Sequence, residues 1–122
     1  MLKKYQQMNN HDLVLFLEQG GALVDIRREE EWRLTGVVEG SILLTFFAAD
    51  GSSQPTQWLE QLNQLVPLEQ PLAVICRTGY RTTFICDFLL ESTSRQEIYN
   101  FTAGIFGWLA AGLPVVEVES VA

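Results

Sequence analysis

The chain has 122 residues, 48% of them hydrophobic, enough to bury one core and too few for two. Its formal net charge of -7 argues against nucleic acid as a general partner, because phosphate binding requires clustered lysine and arginine. No apolar run approaches the ~20 residues of a membrane span, and Met1 to Gln7 lacks the apolar centre of an export signal, so a cytoplasmic protein with no membrane partner is expected.

In chain order, Asn10 is placed to cap a helix running to about Gln19, with Leu13, Phe16 and Leu17 on one face and Gly20 just beyond. His11 lies near that cap and reads as solvated. Ala22 to Ile26 is a short apolar run that predicts a buried strand, with Asp25 and Arg27 at its end. Glu29 to Leu34 starts a short helix, acidic where the dipole favours negative charge. Ser41 to Thr45 predicts a small strand, and Asp50 to Pro55 a loop. Trp58, Leu59, Leu62 and Leu65 follow at helical spacing, closed by Pro67. Next come an apolar strand at Leu72 to Ile75, a helix at Thr82 to Leu90, a strand at Glu97 to Phe101 and a helix at Ile105 to Ala111. Strands alternating with helices predict a helix-covered parallel sheet that takes ligands at the carboxyl ends of its strands.

The chemistry concentrates at Cys76-Arg77-Thr78-Gly79-Tyr80-Arg81, released from the end of the Leu72 to Ile75 strand and opening onto a helix N-terminus. Successive backbone N–H groups in such a loop form a concave nest for negative charge, and the helix dipole points the same way. A thiol held there is pushed toward thiolate, the form that is a good nucleophile. Two of the six arginines stand in this loop and no lysine follows Lys4, so positive charge gathers where an anion arrives. Repulsion from the acidic remainder is screened beyond about 8 Å at physiological salt. Gly79 is read as a backbone requirement that permits positive φ and keeps the nest open. Cys86 falls inside the following helix, about two turns from the loop, and reads as a small core residue. There is one histidine and no C-x-x-C, so no metal site and no cofactor is expected.

Three segments together resemble the rhodanese, or sulfurtransferase, family. Cys76, Arg77, Gly79 and Arg81 match its active loop C-R-x-G-x-R, with Thr78 and Tyr80 at the free positions. Val24-Asp25-Ile26-Arg27 with Glu31-Trp32 looks like V-D-V/I-R-x-x-x-E-F/W. Asn100 to Trp108, followed by Gly112-Leu113-Pro114-Val115, is similar to N-x-x-G-G-x-x-x-W with a trailing G-L-P-V. Two departures stand out. Gly36-Val37-Val38-Glu39-Gly40-Ser41 lacks the histidine and proline of the family's G-H-I-P-G-A, and Ala103 replaces the first glycine of the later pair. Both bear on loop shape and substrate access more than on the reaction type.

The resemblance implies an α/β three-layer fold for one domain, residues 1–122, with a central, mainly parallel sheet of about five strands flanked by helices. It implies sulfur transfer through a Cys76 persulfide, from a small anionic donor such as thiosulfate to cyanide or a thiol. Arg77 and Arg81 would hold the donor in a substrate-binding loop completed by Thr78, Gly79 and Tyr80, with Arg81 turned inward to a carboxylate, still ordering the loop, as the other reading. Asp25 and Arg27 are supporting candidates that also read as a structural ion pair, and Glu31 reads as a scaffold contact. Trp32, Trp58 and Trp108 read as core aromatics. Two other readings stay open. A cysteine phosphatase or arsenate reductase would use five residues between cysteine and arginine where this chain has four, and would want a general acid. A persulfide carrier would receive its sulfur from a partner in a protein relay.

Overall fold

A computed structural model describes residues 4–118. In chain order the elements are β1 (Gln6–Met8), α1 (Asn10–Glu18), β2 (Ala22–Asp25), α2 (Glu29–Thr35) and β3 (Ile42–Leu43). There follow α3 (Pro55–Leu65), β4 (Leu72–Ile75), α4 (Arg81–Ser92), β5 (Ile98–Phe101) and α5 (Gly104–Ala110). The strands form one sheet in the order β1-β5-β4-β2-β3, every pairing parallel.

Both faces of this sheet are covered, which is why its inner strands read as continuous apolar runs rather than as alternating patterns. All four residues of β2 and of β4 are buried. Side chains nevertheless alternate between two cores. Leu72, Val74 and Cys76 pack with Trp58 and Leu62 of α3 and with Ile85 and Leu89 of α4. Ala73 and Ile75 face the other way, onto Leu13 and Phe16 of α1 and Ile105 and Trp108 of α5. That alternation sets Cys76 on the α4 side at the sheet's carboxyl edge.

The chain leaves β2 toward one edge through β3, then returns to place β4 on the other flank of β2. The direction of winding reverses between β2 and β4, and in open parallel sheets the crevice at such a reversal is where ligands bind. Cys76 follows β4 and Arg27 follows β2, so both stand at this point.

Several local expectations shift. The three-residue β1 is an addition to the four strands read from the sequence. Its cap-proximal neighbour also differs: α1 is capped by Asn9, whose Oδ1 accepts from Asp12 N at 2.8 Å while Asp12 Oδ2 accepts from Asn9 N at 3.4 Å. Asn10, expected as the cap, instead donates through Nδ2 to Gly107 O at 3.3 Å and so ties α1 to α5. The α3 helix begins earlier than Trp58, at Pro55, where a missing N–H is harmless. Among the described residues no helix is long and apolar enough to cross a membrane.

Candidate active site

Residues 76–80 make a tight turn between β4 and α4. Gly79 has φ +86, and a Cβ there would overlap the backbone carbonyl of Thr102, so both conformation and space require glycine. From behind, α5 ties the turn down: Ile105 N donates to Cys76 O at 2.9 Å and Phe106 N to Arg77 O at 3.1 Å. Gly104, at φ +64, makes this approach possible, since a Cβ on it would overlap Arg77 O.

Within that frame the Cys76 residue is only 1% exposed. Its Sγ accepts a hydrogen bond from Gly79 N at 3.1 Å and lies 3.6 Å from Thr82 Oγ1. Thr82 is itself fully buried at the first turn of α4. Its hydroxyl donates to Asn100 Oδ1 and sits 3.2 Å from Gly79 O. Asn100, on β5, completes the network by donating from Nδ2 to Gly79 O at 3.3 Å and to Gln7 Oε1 at 3.1 Å. A sulfur that carries negative charge here meets one fixed amide donor and one rotatable hydroxyl, both able to stabilise it.

The two loop arginines have different surroundings. Arg77 is exposed, with its guanidinium 5.9 Å from the centroid of the Phe106 ring. Arg81 turns toward α2 and grips Glu31 with both prongs, Nη1 to Oε1 at 3.0 Å and Nη2 to Oε2 at 2.8 Å. Burial acts to raise the Glu31 carboxyl. Hydrogen bonds from Arg81 and from the Arg28 backbone, with the fields of Arg81 and Arg27, outweigh it and hold the group below the ordinary carboxylate value. Thr78 and Tyr80 are exposed along the turn.

Asp25 and Arg27 are fully buried and pair with each other, Arg27 Nη2 to Asp25 Oδ2 at 2.9 Å and Nε to Oδ1 at 3.0 Å. The remaining Arg27 donors go to Thr35 Oγ1 at 2.8 Å and Gly36 O at 3.1 Å, so the guanidinium staples the end of β2 to the end of α2. Cys86 is also buried, in the α3–α4 core, and burial first, then the nearby charges, pushes its thiol up. Both cysteines are free. Among the described residues no group of three or more His, Cys, Asp or Glu is placed to hold a metal ion.

A family model described as Rhodanese-like domain matches residues 3–111. The chain belongs to the rhodanese-like family. A sulfurtransferase of Allochromatium vinosum is 27% identical over 97 residues, covering 80% of this chain and 79% of that protein. The fold is similar to a crystal structure of an M. tuberculosis protein, with a TM-score of 0.80 at 24% identity over 94% of this chain and 100% of the other. A solution structure of a polysulfide-sulfur transferase homodimer from Wolinella succinogenes gives a TM-score of 0.71 at 21% identity, covering 93% of this chain and 80% of that one.

Both departures from the rhodanese-like pattern have a visible accommodation. Of the later glycine pair, the position that touches the loop is Gly104, which is kept; Ala103 sits in ordinary right-handed helical conformation, where a side chain fits. In the Gly36 to Ser41 segment the turn is closed by Ser41, whose N and Oγ both donate to Val38 O, at 3.0 and 2.6 Å. Val37 and Val38 are buried where the family pattern has histidine and isoleucine.

Sequence reasoning did not single out Thr82 or Gln7, and it took Asn100 only as part of a motif. A hydroxyl directly after the loop arginine was the available signal for Thr82. For Gln7 there was none, because its contact arises only when β1 pairs with β5.

Proposed function

We propose that the chain works as a single-domain sulfurtransferase that carries sulfane sulfur on Cys76. The observation that bears most weight is the sulfur's position: at the carboxyl end of the central strand, under a backbone amide and a hydroxyl, in a turn that two helices hold shut. The relatives' names support sulfurtransferase chemistry in general, and the loop's charge favours an anionic donor, thiosulfate first.

The reaction runs as two displacements at sulfur. The Cys76 thiolate attacks the outer sulfur of thiosulfate, the S–S bond of the donor breaks, and sulfite leaves with the bonding pair. Cys76 then holds a persulfide anion. Cyanide, or a thiolate, attacks the terminal sulfur, and thiocyanate or a new persulfide departs as Cys76 regains its thiolate. No oxidant is consumed and no general base is required once the thiolate exists. Arg77 holds the arriving anion at the exposed side of the turn, with Thr78 and Tyr80 beside it. Arg81 acts indirectly, by fixing the first turn of α4 to α2 through Glu31. That pairing supports sulfur transfer over phosphatase chemistry, since a phosphate cradle needs its arginine turned to the bound oxyanion.

The test is the intact mass of reduced protein after incubation with thiosulfate, beside Cys76→Ser and Cys86→Ser. Gain of one sulfur that cyanide removes, seen in the wild type and in Cys86→Ser and absent from Cys76→Ser, is the expected result. An adduct that survives Cys76→Ser would overturn the assignment.

A further inference from the structure

In and beside the Cys76 turn stand three aromatic side chains that the chemistry of small anions leaves unused: Tyr80, Phe84 and Phe106, respectively 70%, 59% and 49% exposed. Tyr80 and Phe84 meet edge to face at 5.9 Å on the α4 side of the sheet. Phe84 also lines a cleft with Phe47, flanked by Arg28 and Arg81. On the opposite side, Phe106 of α5 carries the Arg77 guanidinium. The aromatic collar therefore straddles the carboxyl edge of the sheet and spans both helical layers. A thiosulfate or cyanide ion covers a small fraction of that width. Exposed aromatics grouped about a functional opening mark contact with a larger, partly apolar partner.

Charge narrows the choice. Among the described cations Arg27, Arg28, Arg33 and Arg81 form ion pairs, Arg95 is buried, and Lys4 lines a separate cleft with Asp87, whereas Arg77 is exposed beside Phe106 and forms no ion pair. Hence the centre of the collar offers one open cation on an otherwise acidic protein, and it favours a carboxylate brought by the partner. Access is narrow, because Cys76 is buried; a persulfide projects its terminal sulfur only one bond, about 2 Å, further out. A protein acceptor must therefore carry its sulfur on a projecting segment.

From these features we propose that the sulfur acceptor is a protein cysteine on a protruding segment, flanked by apolar residues that lie on Phe84 and Phe106 and by an acidic residue that meets Arg77. The proposal rests on the Cys76 persulfide reading. In the transfer, the partner's thiolate attacks the terminal sulfur of the Cys76 persulfide, the Cys76 S–S bond breaks, and Cys76 leaves as thiolate. The partner is left with the persulfide, and its thiol proton has gone to solvent.

The experiment loads the protein with inorganic polysulfide, so that loading is independent of thiosulfate recognition, and verifies one added sulfur by intact mass. Discharge is then timed with cyanide, with free cysteine, and with two short peptides containing a single cysteine. In one peptide phenylalanine and leucine flank the cysteine with glutamates beyond; in the other, glycine, serine and lysine replace them. The acidic apolar peptide should discharge the persulfide about tenfold faster than free cysteine or the control peptide, the gain expected of one buried aromatic contact. Phe84→Ser and Phe106→Ser should each remove most of that gain and leave cyanide discharge unchanged. Equal rates for both peptides and free cysteine, or variants that discharge the acidic peptide as fast as wild type, would overturn the proposal. Failure of polysulfide to add sulfur at Cys76 would instead overturn the persulfide chemistry, and it is seen before any peptide is added.

Discussion

Thr82 has a single hydroxyl proton and three acceptors within reach: Asn100 Oδ1, Gly79 O and the Cys76 sulfur. With a neutral thiol, that proton serves Asn100; with charge on sulfur it can turn toward Sγ. A hydrogen bond to a charged group contributes about 1.5–3 kcal/mol, so Thr82→Val should slow persulfidation roughly tenfold or more, and Thr82→Ser should restore it. Timing the added sulfur by mass for the three proteins checks this, with thermal melting showing whether the fold is retained. Glu31 carries a second prediction. Its folded-state value is depressed, so the Glu31–Arg81 pair contributes fully above the ordinary carboxylate value of about 4.3 and is lost as pH falls through the lower folded value. The melting temperatures of wild type and Glu31→Gln should therefore differ at neutral pH and converge on acidification; a gap unchanged down to the acid limit would reject the pair as a stabilising contact. The Cys76 turn between a buried strand and a helix was legible because cysteine, glycine and arginines are contiguous and follow an apolar run. That Arg81 turns inward to a carboxylate was one of two readings open from the sequence; that the carboxylate is Glu31, fifty positions away, local pattern could not tell.

Helix ends and glycines decide how the elements grip the site. Gly104 lets α5 close on the loop carbonyls, and Gly104→Ala would set a methyl into Arg77 O at a backbone angle that L-residues reach only under strain of about 1–3 kcal/mol. The expected outcome is a folded protein whose Cys76 persulfidates far more slowly, with Gly40→Ala, where nothing lies within 4 Å, as the comparison of equal φ class. Arg95 closes the other end of the molecule. Its buried guanidinium donates to Val66 O at 2.7 Å, Pro67 O at 3.0 Å and Asn63 Oδ1 at 3.1 Å, which caps the end of α3. Replacement by Met strands those acceptors, at about 1–3 kcal/mol each, so chemical denaturation should show a loss of at least about 2 kcal/mol without change at Cys76. Long apolar or amphipathic segments were readable because burial on one or both faces writes itself into the residues. The cap of α1 was displaced by one position because Asn9 and Asn10 are chemically alike, and only the Asp12 pairing distinguishes them. Likewise β1 escaped notice: Gln6 and Gln7 are exposed, and Met8 alone is buried.

At the scale of the molecule, the fold could be read from the alternation of strands and helices and from three motifs in order, but the order of the strands could not. Pairing of β1 with β5 joins residues far apart in the chain, Gln6 with Tyr99 and Met8 with Phe101. Removing residues 1–8 should lower the melting temperature and slow persulfidation together, since it bares the edge of β5 and takes Gln7 from Asn100; loss of stability with full reactivity at low temperature would show that the network reaches Cys76 without Gln7. The straps on the active loop carry a consequence for biosynthesis. Every contact that holds residues 76–80 in shape from behind, Asn100, Thr102, Gly104, Ile105 and Phe106, is translated after them. A nascent chain emerging from the ribosome therefore lacks the preformed turn around Cys76 until the last strand and helix have been made. On the Cys76 persulfide reading, sulfur loading would begin only then, and the finished domain rather than the growing polypeptide would carry it.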